Sequence, residues 1–317
     1  MIVVHKNTDI TEYVSGITWG GSTGEVVRKL GLSIVNAPFD KNIAPLTISL
    51  ADMIYLFEDD GTTELFRGFV VDREASSETG TIAVTAYDML FYTIKNFATY
   101  NFSGKTAETI TKVVCDDVQI PTGSLASTGL NQKLIVSNCS IYEIIMRAYT
   151  QAYQQSGVMY RVVGRKGLLN VEEVGKVVCD IELSESSNIT SSSYKESINN
   201  MVNKVRIYDS EGTQKGVVED SSNVKKYGIF QAVYTEEEGK DATTTAKSMF
   251  NGVEKTFQLE CVGYSKAVTG AGAVVYDSST GLRGLVWIDA DTHKWENGVH
   301  TMSLTVTLKK IMDTKEG

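Results

Sequence analysis

Proline, histidine and cysteine are all scarce in this chain: three, three and four residues out of 317. So few prolines leave long stretches in which a strand can run uninterrupted. Three histidines leave few side chains that titrate near neutral pH, which narrows the room for acid–base catalysis. The cysteines stand apart at 115, 139, 179 and 261, with no CxxC pair and no histidine close in sequence. That spacing is neither a zinc signature nor a disulfide framework. It predicts reduced thiols, with Cys115 and Cys139 serving as small core residues. The N-terminus lacks a basic segment followed by a long apolar run, and no apolar stretch reaches membrane-spanning length. The chain is therefore expected to be made in the cytoplasm, without a membrane segment, and to leave only as part of a particle.

Positive charge is short as well. Lys and Arg total 30 against 39 Asp and Glu, a net charge of −9. The basic clusters are brief: Arg28-Lys29, Lys225-Lys226 and Lys309-Lys310. Each reads as a solvated patch, so specific nucleic-acid binding is not expected.

What the chain has instead is Gly, Thr, Val, Ile and Tyr, a mixture that favours strands punctuated by turns. Ile48, Leu50, Ile54 and Leu56 keep a period of two over residues 47–57, before a turn at Asp59-Asp60-Gly61. Residues 64–73 and 81–87 read as further strands around a turn at 77–80, giving a meander. The middle of the chain changes to helical spacing. Ile110, Val113, Val114 and Val118 share one helical face, and Pro121 and Gly123 stop that helix. Residues 140–156 carry a stripe of Ile141, Ile144, Ile145, Ala148 and Ala152. Ser140 and Glu143 fit a capping box and Gly157 a C-terminal stop. A hairpin follows, 159–163 and 168–174, around a turn at 164–167. From about 184 the pattern returns to strands, after a serine-rich stretch at 184–193 read as a linker or edge. Strands are expected at 202–209 and 229–234, and a short helix at 242–250 capped by Asp241. Met302, Leu304, Val306 and Leu308 alternate with threonines and Ser303 in a last strand with one dry face. The fold class is α+β, mainly β. Arg67-Gly68-Phe69-Val70 is echoed by Arg283-Gly284-Leu285-Val286, as related first and last β segments would show.

Several groups of residues invite a chemical reading. Ser103-Gly104-Lys105-Thr106 has part of a phosphate-binding loop, but the glycine needed five residues earlier is Thr99. Thr106 or Ser103 reads better as a helix cap. Asp289, Asp291, His293, Glu296 and His300 are dense enough to suggest a metal. The Asn297-Gly298 turn among them favours a polar hairpin loop. Glu172-Glu173 and Glu236-Glu237-Glu238 do not separate an acid from a base across a cleft, as glycan hydrolysis requires. No GxSxG or HExxH occurs. Trp287 and Trp295 offer rings on which sugars stack, as a carbohydrate-binding module would use, but read better as core or hairpin residues. The residues thus name no catalytic side chain, no metal ligand and no cofactor.

Taken together, several phrases resemble the XkdQ-like family of phage tail proteins. They are Ala86-Tyr87-Asp88-Met89-Leu90 with Lys95-Asn96, and Tyr100 to Ala107. Ile120-Pro121-Thr122-Gly123, Lys133-Leu134-Ile135 and Ser140 to Ile145 follow, then Met201 to Val205 and Lys226-Tyr227-Gly228 with Gln231. Thr280-Gly281-Leu282, Asp291 to Trp295 and Asn297-Gly298 complete the ordered set, over roughly 10–310. The resemblance implies a baseplate hub of a contractile tail, in a phage, a PBSX-like prophage or an R-type bacteriocin. It implies two hub-type β-barrel domains, 1–95 and 184–317, flanking an α/β insert domain at 96–183. The implied assembly is a homotrimer whose six barrels match the six-fold tail tube above and a three-fold central spike below. Its lumen passes the tape-measure protein and then DNA, and an acidic chain suits such a conduit. The implied role is structural and non-enzymatic. The alternative is a hub-associated cell-wall (peptidoglycan) hydrolase, although the short tail after the last strand leaves no lysin domain expected.

Overall fold

The computed structural model describes residues 1–36, 41, 46–78, 80–236 and 241–315. The chain divides into two compact units, 1–192 with 258–317, and 193–257. Helices are few and short, and the fold is mainly β.

The larger unit opens with a β meander: β1 (Ile2–His5), β2 (Thr8–Asp9), β3 (Val14–Ser22), β4 (Glu25–Val35), β5 (Met53–Phe57), β6 (Glu64–Ser76) and β7 (Thr81–Asp88). Alternation drives it, since Leu30, Leu32 and Ile34 of β4 and Val84 and Ala86 of β7 all point into one core. The strand expected over 47–57 is shorter than its pattern. Ile48 is buried but Leu50 is 61% exposed, and Ala51 takes a positive φ of 65°, so pairing begins only at Met53.

Next come α1 (Phe91–Lys95), β8 (Phe97–Lys105), α2 (Ala107–Asp117), β9 (Thr122–Leu125), β10 (Gln132–Ser140), α3 (Ile141–Ser156), β11 (Tyr160–Arg165) and β12 (Leu168–Glu173). The capping box is present: Ser140 Oγ accepts from the Glu143 amide while Glu143 reaches back to the Ser140 amide. Gly157 ends α3 in the left-handed region, as its lack of a Cβ allows. The stripe of α3 enters a second core with Ile110, Val114 and Cys115 of α2. Val113, expected on that face, is 42% exposed. The β11–β12 turn is Lys166-Gly167, both at positive φ, which matches a two-residue hairpin of type I′.

The remaining strands are β13 (Val178–Ser184), β14 (Ile189–Ser197), β15 (Lys204–Tyr208), β16 (Gln214–Glu219), β17 (Gln231–Thr235), β18 (Glu254–Val262), β19 (Gly272–Asp277), β20 (Leu282–Glu296) and β21 (Val299–Thr307). Helices α4 (Ser221–Tyr227) and α5 (Ala242–Ser248) belong to the smaller unit, where β15 is flanked by β16 and β17. There Val205, Ile207, Tyr234 and Ala246 form a small core of their own. Asp241 caps α5 by accepting from the Thr244 amide. Of the two readings of the serine-rich stretch, linker or edge, the structure shows the edge: most of it is the β13–β14 turn and the start of β14, the end strand of its sheet path.

Thirteen strands pair in one sheet along the path β14-β18-β21-β20-β3-β4-β7-β6-β5-β1-β2, with β19 and β13 attached through β20. Strand β20 is its seam. Its first half pairs with β19 and its second half with β3, while β21 follows its other edge. First and last segments of the chain thus meet at the β3–β20 ladder, from Ala290↔Ser22 to Glu296↔Gly16.

Candidate functional site

The cluster at 289–300 is not a polar loop. Only Asn297-Gly298 turns the chain there, and both take positive φ. The rest lies in strands, with Asp291 and His293 buried. The physical cause is a register shift between Ile288 and Ala290, which leaves Asp289 as an extra residue against β21. Before it, Leu282, Val286 and Ile288 face the core; after it, Asp291 and His293 do. A one-residue bulge thus reverses which parity of residue points inward. The bulge is pinned where the Thr23 amide donates to the Asp289 carbonyl.

Asp291 receives a two-pronged ion pair from Arg28 of β4. Nη1 donates to Oδ1 at 2.9 Å and Nη2 to Oδ2 at 2.5 Å. Arg28 must cross β3 to arrive, and it passes over Gly21. A Cβ on Gly21 would lie 3.2 Å from Arg28 Cγ and 3.3 Å from Nη1, so glycine leaves the passage open. The Thr269 amide adds a third donor to Asp291 at 2.6 Å. Burial raises the Asp291 carboxyl, but the Arg28 charge and hydrogen bonds outweigh it, and the net shift is downward. Arg28 also stacks over Trp19, 4.2 Å from the ring centroid. Its reading as part of a solvated patch with Lys29 is therefore wrong for Arg28 and right for Lys29, which is exposed. The other two basic pairs, Lys225-Lys226 and Lys309-Lys310, are exposed as expected.

His293 extends the row. Its Nε2 lies 3.1 Å from the Ala267 carbonyl and its Nδ1 3.1 Å from His300 Nε2. The carbonyl can only accept, which assigns the His293 proton to Nε2 and makes His300 the donor to Nδ1. Burial pushes His293 down and His300 down to about 4, His300 also through its neighbour His293. Both imidazoles are thus neutral near pH 7. Trp295 stacks on His300 at 4.1 Å, and Trp19 lies 5.2 Å from His293. The ion pair, the Thr269 amide and the two imidazoles link this row into a clamp between β3, β4, β20 and β21, in which only Trp19 Nε1 and Arg28 Nε lack a protein partner. Among the described residues no group of three or more His, Cys, Asp or Glu side chains is placed to hold a metal.

The other sequence candidates lie elsewhere. Ser103, Gly104 and Lys105 belong to β8, with Lys105 exposed opposite Gln132, so they form no phosphate cradle. Thr106 caps α2, its hydroxyl accepting from the Thr109 amide. Glu172 is held by Arg161 and, at 2.8 Å, by Arg165; Glu173 pairs with Lys176 at 3.0 Å. Glu237 and Glu238 lie outside the described residues. Trp287 is buried with Lys310 over its ring. The four cysteines are free. Burial raises the thiols of Cys115 and Cys261 to about 12 and that of Cys179 to about 11. The echoed glycines serve different ends: a Cβ on Gly68 would strike the Tyr87 carbonyl at 2.2 Å, whereas Gly284 is needed for its φ of 108°. No helix among the described residues is long and apolar enough to cross a membrane.

Sequence reasoning missed Arg28, Trp19 and Thr269 because their partners are remote in sequence. The Gly20-Gly21 pair inside β3 was the available signal, since glycine within a strand marks a close approach.

Comparison with known proteins adds a family. The sequence model of a family described as YQBQ-like matches residues 17–307. The phage-like element PBSX protein XkdQ of Bacillus subtilis is 30% identical, over 98% of this chain and 98% of its own length. Among solved structures, the 43 kDa tail protein of prophage MuSo2 from Shewanella oneidensis superposes with a TM-score of 0.74 at 15% identity, covering 96% of this chain and 97% of that one. The E. coli c3393 protein, described as a type VI secretion component structurally similar to the T4 tail proteins gp27 and gp5, gives 0.53 at 9% identity, over 96% of this chain and 75% of that one.

Proposed function

The chain belongs to the YqbQ-like family, and on that premise we propose that it is the structural baseplate hub of a contractile phage-type tail. Three copies form a ring that joins the six-fold tail tube to the three-fold spike. Within each copy, 1–95 and 184–317 act as the two hub-type β domains, and 96–183 as the insert between them. The tail tube, the central spike and the tape-measure protein are its partners, and the particle is assembled in the cytoplasm. A tail or bacteriocin particle then carries it out.

The observation that carries this reading is the β3–β20 ladder. It sets a first and a last β segment side by side in one chain, so three chains supply six such segments. The tail-protein fold and its likeness to a type VI secretion component support the same role. The test is the oligomeric mass in solution, alone and with spike and tube proteins, followed by cryo-EM of the tail tip. Three copies on the tail axis are expected. A single copy, or a position off the axis, overturns the hub.

The hydrolase alternative draws no support from the carboxylates, since Glu172 is tied to two arginines and Asp291 to Arg28. A peptidoglycan zymogram of the purified chain is expected to stay blank. A cleared band that Glu172→Gln or Asp291→Asn abolishes would overturn the structural role.

A further inference from the structure

A cavity of about 110 Å³ lies where the first β meander meets the β11–β12 turn. Arg28, Glu64, Arg67 and Asp88 line it from β4, β6 and β7, and Gly164 to Gly167 line it from the hairpin. Four buried polar atoms there have no protein partner: Arg28 Nε, Arg67 Nε, Glu64 Oε1 and Asp88 Oδ2. The two Nε–H groups donate and Glu64 Oε1 accepts, while Asp88 Oδ2 accepts when ionised and donates when it carries the proton, since Oδ1 already accepts from Leu90. An anion would satisfy the arginines but meet the Glu64 carboxylate; a cation would satisfy Glu64 but meet the arginines. A small neutral species that both donates and accepts satisfies all four, and the space exceeds the roughly 10–15 Å³ that one water needs.

The arginines around Asp88 are otherwise engaged. Arg28 is committed to Asp291, Arg67 to Glu64 at 2.6 Å, and Arg165 to Glu172 at 2.8 Å. Lys166 lines the cavity from the turn itself. Asp88 Oδ1 accepts from the Leu90 amide at 3.0 Å, while Oδ2 faces the hairpin backbone. A Cβ on Gly164 would sit 2.7 Å from Oδ2, so the hairpin packs directly on this carboxyl.

We propose that the cavity is an internal water site, and that the seating of the β11–β12 turn on the first meander depends on whether Asp88 carries a proton. A neutral carboxyl is satisfied by one or two waters. An ionised one needs more hydration and opens the turn to obtain it, because the arginines at the cavity are already paired and Lys166 is exposed on the turn itself. Burial, against weaker pulls from Arg28 and Leu90, raises this carboxyl from 3.8 to about 7. The folded value lies above the unfolded one, so the stability of the seated form is complete below about 4 and is lost as pH rises through about 7.

Two measurements on the full chain test this. Crystals of the wild type near pH 5.5 should show ordered water bonded to at least three of the four atoms; a dry cavity, or an ion there, overturns the site. Amide exchange at residues 164–167, corrected for intrinsic rates, should rise several-fold between about pH 6 and pH 8 in the wild type and stay flat in Asp88→Asn. Flat exchange in the wild type overturns the coupling even if the variant fails to fold. Difference infrared spectroscopy of the wild type should show a protonated carboxyl titrating near neutrality, and its loss by pH 5 overturns the assignment to Asp88.

Discussion

Removing the Asp291 carboxylate is the sharpest perturbation of the clamp. Asp291→Ala deletes an acceptor whose side chain is fully buried and that receives two bonds from Arg28 and one from the Thr269 amide. Breaking a buried pair from one side costs about 3–5 kcal/mol, because the remaining charge is left uncompensated. Arg28 keeps 19% of its side-chain surface exposed and its stack on Trp19, so partial rehydration puts the expected loss near the lower end, about 3 kcal/mol. Arg28→Met is expected to cost at least as much, since Asp291 has no exposed surface through which to regain water. The double variant Arg28→Met/Asp291→Leu should lose less than the sum of the two, because no unpaired charge remains. The three tryptophans, Trp19, Trp287 and Trp295, all lie in the larger unit, so their fluorescence in urea reports its unfolding. Coupling below about 0.5 kcal/mol in this cycle, the range of independent sites, would refute the clamp as the link between β4 and β20.

Gly21→Leu places a side chain in the path of Arg28 and should lower the urea midpoint clearly more than Gly24→Leu, where nothing stands within 4 Å; equal effects would show that the passage is unimportant. Ser140→Ala removes the α3 cap and should cost about 1 kcal/mol by the same unfolding assay. His300 should remain neutral at pH 5.5 in NMR spectra, because its value is lowered to about 4; its stabilising effect is present above about 6.5 and lost as pH falls toward 4, and a midpoint near 6.5 would contradict the burial argument. Native thiol labelling at pH 8 should be slow at every cysteine and should begin at Cys179, the one that is not buried; rapid loss of Cys115 or Cys261 would contradict their packing.

Local features were legible in the sequence. The Ser140–Glu143 box, the Gly157 stop, the Asp241 and Thr106 caps and the β11–β12 hairpin depend on residues a few positions apart, and each took the expected form. Alternation in 81–87 and 301–307 set the buried faces of β7 and β21. The ordered family phrases likewise pointed to a tail protein. The clamp was different. Asp291 and Arg28 are 263 residues apart, and their pairing needs the β3–β20 ladder to exist first. The Asp289 bulge reverses the inward parity of β20, so a strict period of two misassigns half that strand. The orphaned atoms around Asp88 come from three strands, and no single segment announces them.

By itself, the sequence determined the strand-rich class, the helix caps and the turns, because propensity, periodicity and capping act over a few residues. Only the tertiary structure decided that Arg28 and Asp291 close a buried ion pair across Gly21, and that Asp88 faces a polar cavity. Those outcomes depend on which strands become neighbours and where a single bulge resets their register, and long-range pairing alone fixes both.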